Sequence, residues 1–214
     1  MSAVIIVGGE PIDAAVLGRL PSPRYVIAAD SGLDHALALG LQPDVVIGDM
    51  DSVGREVLDA AVAAGVPVER HPRDKDATDL ELAFQHAQAR GHDHAVLLGG
   101  YGGRLSHMLG NALALAADAL SEISVEWHVN AATVYVVRHG APLTVRGGEG
   151  DLVSLLAAGG PAEGVTTSGL RWRLDDEDLA PGSTRGISNR IINDRATVAL
   201  RRGVVLAVHE RTHP

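Results

Sequence analysis

Two short segments carry most of the side chains in this sequence that could do chemistry. Gly48-Asp49-Met50-Asp51-Ser52 follows an apolar run, and Asp74-Lys75-Asp76-Ala77-Thr78-Asp79 opens a helical stretch further along the chain. This many carboxylates in two loops exceeds what packing needs. Carboxylates placed where strands end and helices begin suit a hard divalent cation such as Mg²⁺, bridged to phosphate oxygens. The chemistry implied is the handling of a phosphorylated nucleotide.

The residues alone say more about the first segment than the second. Asp49 and Asp51 are two apart, so in extended chain they point the same way and can reach one ion. Capping of the helix expected near Val53 would account for Asp51 or Ser52 but not for Asp49. In the second segment Thr78 and Glu81 match a capping box, and Asp79 suits a first helical turn. Asp74 and Asp76 precede the cap and have no such local role. Lys75 could contact phosphate or offset the neighbouring acids.

A third segment, Gly99-Gly100-Tyr101-Gly102-Gly103-Arg104, follows a strand and opens a helix. Glycines let backbone N–H groups approach a phosphate, and a helix N-terminus favours its charge. Arg104 can add a forked contact to phosphate oxygens. The segment is neither a P-loop nor a dinucleotide fingerprint, because the spacings differ. His107 and Asn111 are four apart and share a helix face; they could line a nucleotide cleft, but the residues alone read as a helix start near solvent. Further on, Ser168-Gly169-Leu170-Arg171-Trp172 and Gly186-Ile187-Ser188-Asn189 stand out. Trp172 can stack on a planar or cationic ring, or serve as a core or edge residue of a sheet. The ten histidines are dispersed without metal-ligand spacing and read as surface residues.

These residues need elements to hold them. Ala3 to Val7, Arg24 to Ala29, Asp44 to Ile47 and His94 to Leu98 are continuous apolar runs, as in parallel strands covered on both faces. Leu33 to Leu39, Arg55 to Ala64 and Asp79 to Arg90 read as helices, each followed by a glycine stop. Leu105 to Leu120 reads as a longer helix. Alternating strands and helices predict an α/β domain with a mostly parallel sheet. From Ile123 the pattern changes to short strands separated by turns: Ala132 to Arg138, Pro142 to Arg146, Asp151 to Leu156, Thr197 to Arg201 and Val204 to Glu210. That spacing predicts an all-β antiparallel sandwich. We expect domains at 1–125 and 126–214.

Composition narrows the class. The 214 residues are 46% hydrophobic with 3% aromatic, enough for a core built from Ala, Val and Leu. A mean hydropathy of +0.11 argues against disorder. A net charge of −9 disfavours a nucleic-acid binder. There is no cysteine, hence no disulfide framework or thiolate metal site. No apolar run reaches the ~18 residues of a membrane span, and the first residues lack the basic start of a signal peptide. A cytoplasmic protein is expected.

Taken together, the motifs resemble the thiamine pyrophosphokinase (thiamine diphosphokinase) family, in the family's order and over nearly the whole chain. Ala29-Asp30-Ser31-Gly32 resembles its Ala-Asp-Gly-Gly turn. Pro43-Asp44 through Gly48-Asp49-Met50-Asp51-Ser52 resembles its Pro-Asp…Gly-Asp-Phe-Asp-Ser segment. Asp74 to Asp79 resembles its Asp-Gln-Asp-x-Thr-Asp segment, and Gly102 to His107 with Asn111 its Gly-Gly-Arg-x-Asp-His…Asn segment. Ser168 to Trp172 and Ser188-Asn189 resemble its two C-terminal signatures. The resemblance implies an α/β domain, a β-sandwich and a homodimer that holds thiamine between subunits. It implies transfer of the pyrophosphoryl group of ATP to thiamine, giving thiamine diphosphate and AMP with Mg²⁺. Asp49, Asp51, Asp76 and Asp79 would form the acidic Mg·ATP and catalytic group, with Arg104 beside it. Asp30, Asp74, Thr78, Arg104 and His107 would line the nucleotide site, and Ser188, Asn189 and Trp172 the thiamine site. Ser31, Lys75 and Ser106 stand where the family usually has Gly, Gln and Asp. A non-catalytic thiamine or nucleotide sensor and a Mg-dependent phosphohydrolase remain open as alternatives.

Overall fold

The continuous apolar runs do form a parallel sheet. In the computed structural model, which describes residues 2–212, β1 (Ser2–Val7), β2 (Arg24–Ala29), β3 (Val45–Gly48), β4 (Val68–Arg70), β5 (His94–Leu98) and β6 (Ser124–Val129) pair in the order β6-β5-β1-β2-β3-β4. Every pairing among these six is parallel. They belong to a first compact unit, residues 1–114 and 122–128. Its helices are α1 (Gly32–Ala38), α2 (Arg55–Ala63), α3 (Asp79–Ala89) and α4 (Leu105–Ala114).

Alternation along each strand covers both faces of this sheet. Val4, Ile6, Val26, Val96 and Leu98 pack with Ala36 and Leu39 of the α1 region. Ala28 and Val46 pack with Leu33 and with Leu58 and Ala61 of α2. The intervening Ile5, Ile27, Ile47 and Leu97 point to the other face and are fully buried. There α3 presents Leu80, Ala83, Phe84 and Ala87. Each large aliphatic side chain so buried contributes about 1.5–3 kcal/mol.

The second unit holds residues 115–121 and 129–214. Its strands are β7 (Ala132–Arg138), β8 (Leu143–Arg146), β9 (Leu152–Ala157), β10 (Ala162–Ser168), β11 (Glu177–Leu179), β12 (Asn189–Arg190), β13 (Arg195–Ala199) and β14 (Val204–Glu210). They make two antiparallel layers, β12-β9-β14-β7 and β11-β10-β13-β8. One apolar core draws on both, with Val137, Val153, Leu155 and Val205 from the first and Val145, Val165, Ala196 and Val198 from the second. This is the expected antiparallel sandwich.

Three expectations need correction. The helix read over Leu105 to Leu120 stops at Ala114. The carbonyls of Leu115 and Ala117 instead accept from the Arg138 guanidinium, at 3.1 and 2.8 Å, and a short 3-10 turn follows at Asp118–Leu120. The strand read over Thr197 to Arg201 begins at Arg195. The histidines are not all at the surface: His128 and His209 are buried. His209 Nε2 lies 3.0 Å from Asp151 Oδ2, and burial there is satisfied by that pairing.

Candidate active site

From β1 the chain steps outward through β2, β3 and β4, then returns to β5 on the far side of β1. Loops leaving β1 and β5 therefore diverge, which opens a crevice at the carboxyl ends of the strands. A cavity of about 820 Å³ occupies this place. It is lined by Gly8 and Gly9 after β1, Asp30 and Ser31 after β2, and Asp49, Asp51 and Ser52 after β3. Lys75 and Thr78 before α3, Asp79 at its start, and Gly100, Gly102, Gly103 and Arg104 with His107 and Asn111 after β5, complete it.

Asp30, Asp49 and Asp79 each offer a carboxylate oxygen, and these oxygens all lie within 4.8 Å of one another. Backbone geometry makes the approach possible. Asp30 has φ 47, a left-handed conformation that Asp tolerates better than most residues. Gly48 has φ 143, and a Cβ there would stand 3.1 Å from Asp79 Oδ1 and 3.3 Å from Asp30 Cβ. Only glycine leaves that space open. Asp79 arrives on the first turn of α3, fixed by the reciprocal Thr78–Glu81 capping box. Asp49 Oδ1 accepts from the backbone N–H of Asp51 at 3.0 Å, which closes the loop on itself.

Two cations answer this negative charge. Lys75 Nζ lies 2.9 Å from Asp79 Oδ1 and 3.9 Å from Asp49 Oδ2, with its side chain 14% exposed. Arg73 reaches Asp51 Oδ2 at 3.1 Å, nearer the solvent. Asp30 is 9% exposed, and its Oδ1 has no hydrogen-bond partner among the described residues. Burial pushes the Asp30 carboxyl above the usual range, hydrogen bonds from Ser31 and Ser52 oppose this, and the Asp79 charge adds to it. A buried carboxylate oxygen without a donor, beside two more carboxylates, fits a hard cation with oxygen ligands such as Mg²⁺.

The sequence-derived residues distribute as follows. Asp30, Asp49, Asp51, Thr78, Asp79, Arg104 and His107 line the cavity; Asp74 and Asp76 are exposed and are not among its lining residues. Asp51 does not cap α2, whose N-cap is Gly54 without a side-chain bond. Arg104 immediately precedes α4, and its main-chain carbonyl accepts from the N–H groups of His107 and Met108. Asn111 donates to the Gly100 carbonyl at 2.9 Å and so holds the glycine-rich turn. Trp172, Ser188 and Asn189 lie in the second unit. Trp172 is half-exposed, and its indole faces Arg171 at 5.5 Å. Asn189 is buried, with its amide spent on the main chain of Trp172 at 2.6 and 3.0 Å. Ser188 is exposed at φ 55. Sequence reasoning left Lys75 undecided and did not place Asp30 among the metal-facing carboxylates. Both sit on segments distant in sequence from Asp49, so no local spacing could bring them together.

Comparison with known proteins bears on both units. Residues 19–125 match the family model "Thiamin pyrophosphokinase, catalytic domain", and residues 142–205 match "Thiamin pyrophosphokinase, vitamin B1 binding domain". The thiamine pyrophosphokinase of Bacillus subtilis (strain 168) is 24% identical over 210 residues, covering 97% of this chain and 98% of that protein. Thiamine pyrophosphokinase 1 of Arabidopsis thaliana is 29% identical over 175 residues, covering 73% of this chain and 61% of that protein. The chain thus spans about three fifths of the plant protein's length. Among solved structures, the Bacillus subtilis thiamine pyrophosphokinase superposes with a TM-score of 0.86 at 24% identity, covering 100% of both chains. The Candida albicans thiamin pyrophosphokinase gives 0.76 at 14% identity, covering 98% of this chain and 88% of that one. These two structural likenesses establish the fold.

Proposed function

Because the chain belongs to the thiamin pyrophosphokinase family, we propose that it transfers the pyrophosphoryl group of ATP to the hydroxyl of thiamine, releasing AMP. The observation that carries this reading is the convergence of Asp30, Asp49 and Asp79 in one cavity with the glycine-rich turn and Arg104. We assign ATP binding and catalysis to residues 1–125 and thiamine binding to 126–214. Asp30, Asp49 and Asp79 would hold Mg²⁺, with Asp51 at the rim of the same cavity. Bound there, Mg²⁺ supplies charge neutralisation on the polyphosphate.

The chain's own residues do the rest. The backbone of Gly100 to Gly103 and the start of α4 cradle phosphate oxygens, and Arg104 forks onto them. Thr78 and His107 line the nucleotide side of the cavity. The thiamine hydroxyl oxygen attacks the β-phosphorus, the bond from that phosphorus to the α-bridging oxygen breaks, and AMP departs. Asp51 or Asp79 takes the hydroxyl proton as general base. Phosphoryl transfer asks mainly for positioning and charge stabilisation, which this arrangement offers. Ser188 and Trp172 contact thiamine, and Asn189 steadies Trp172 through its main chain.

We also infer a homodimer. The α4 face bearing His107 and Asn111 lines the cavity, whereas Leu105, Leu109 and Leu113, spaced by four, are 64, 52 and 66% exposed. Such an apolar stripe suits a second copy of the chain, which fits the shared thiamine site that the family resemblance implies. A cytoplasmic setting supplies the ATP and Mg²⁺; among the described residues no helix is long and apolar enough to cross a membrane. The test is incubation with ATP and Mg²⁺, with and without thiamine, followed by chromatography for AMP. AMP that requires thiamine supports the reading. Hydrolysis without thiamine, or binding without turnover, contradicts it.

A further inference from the structure

We propose that Lys75 is a resident counter-ion that keeps free divalent cations out of the carboxylate cluster and yields its place when metal arrives on a polyphosphate. The proposal rests on the Mg·ATP reading of the cavity. Its observations are geometric. Lys75 Nζ is 2.9 Å from Asp79 Oδ1 and 3.9 Å from Asp49 Oδ2. Those are two of the three side chains whose oxygens gather within 4.8 Å. The ammonium therefore pairs with two of the three carboxylates that would hold a hard cation. Its side chain is 14% exposed, so bulk water screens this pairing far less than it screens Arg73–Asp51, whose arginine is 81% exposed.

A divalent cation brought onto these same carboxylates meets strong repulsion from the ammonium beside them. A bare divalent ion must therefore expel Lys75 with nothing to receive it. A metal–polyphosphate brings its own acceptors. Lysine is a compact charge on a flexible four-carbon stem with three donors. From its place in the cavity wall it can turn from carboxylate to phosphate oxygen without leaving the site. The exchange conserves charge pairing: the carboxylates gain the metal, and the ammonium gains phosphate. Lys75 thereby couples metal entry to nucleotide entry, and it is a positioning residue for the metal complex.

The experiment is titration with Mn²⁺ alone, read by electron paramagnetic resonance, on the intact chain and on Lys75→Met and Lys75→Gln. A parallel titration uses a non-hydrolysable ATP analogue with Mn²⁺ present. Both variants should bind free Mn²⁺ at least about tenfold tighter than the unsubstituted chain and bind the Mn²⁺–analogue complex at least about tenfold weaker. Circular dichroism checks folding, and the two substitutions guard against one of them misfolding. Mn²⁺ affinity that is equal or weaker in both folded variants overturns the lysine's role, and if Asp49→Asn still abolishes binding, the metal site itself stands. Mn²⁺ binding that is absent from every form, or survives Asp49→Asn, overturns the reading of the cavity and the proposal with it.

Discussion

Asp49 and Asp76 were equivalent as letters in the sequence, each an aspartate two residues from another in an acidic loop. The fold separates them. Asp49 turns into the cavity beside Asp30 and Asp79, whereas Asp76 is exposed and off its wall. Asp49→Asn should lower kcat/KM for thiamine by at least about 100-fold, the scale of losing one preorganised electrostatic group. Its urea midpoint should hold or rise, because one of three crowded negative charges is gone. Asp76→Asn should stay within about threefold of the unsubstituted chain. Steady-state kinetics on the two variants decides this. Their place in a loop after a strand marked Asp49 and Asp51 in the sequence. Met50 at φ 65, however, breaks the extended chain that period-two spacing assumed, and Asp51 stays outside the three-carboxylate group. Asp30 became legible only through family resemblance, and Lys75 not at all, because their meeting depends on how β2, β3 and α3 lie side by side.

Elements show the same division. The parallel strands were readable because burial on both faces leaves unbroken apolar runs such as Val4 to Val7 and Val45 to Ile47. The α3 start was readable because Thr78 and Glu81 carry a capping signature with a local mechanism. By contrast β10 to β12 lack clean alternation, and the carbonyls of Leu115 and Ala117, read as helix, accept from Arg138, a residue remote in sequence. The cap gives a prediction at this scale. Thr78→Ala removes the side-chain acceptor for the Glu81 N–H and should cost about 1 kcal/mol of unfolding free energy. Since Asp79 rides on the same turn, metal affinity should fall as well. Urea denaturation and Mn²⁺ titration measure the two effects separately.

Across the whole chain, each unit carries its own stabilising device. In the second unit Asp151 accepts from the N–H groups of Gly148 and Thr212, at 2.9 and 3.0 Å, and lies 3.0 Å from His209 Nε2. Burial alone would raise the Asp151 carboxyl; these hydrogen bonds outweigh it and hold the pKa at about 2. A carboxyl depressed in the folded state contributes its stability above the unfolded pKa near 4 and loses it as pH falls toward 2. Thermal melts from pH 5 to pH 2 should therefore drop more steeply for the unsubstituted chain than for Asp151→Asn. In the first unit the α4 stripe makes a different claim. On the proposed homodimer with a shared thiamine site, Leu109→Asp should give a monomer in sedimentation velocity and reduce thiamine turnover. The central claim is the reaction itself, and ³¹P NMR of ATP, Mg²⁺ and thiamine with the protein tests it most directly. Paired loss of ATP signals with equimolar growth of AMP and thiamine diphosphate resonances is the expected result. ADP and inorganic phosphate, forming at the same rate whether or not thiamine is present, would contradict it.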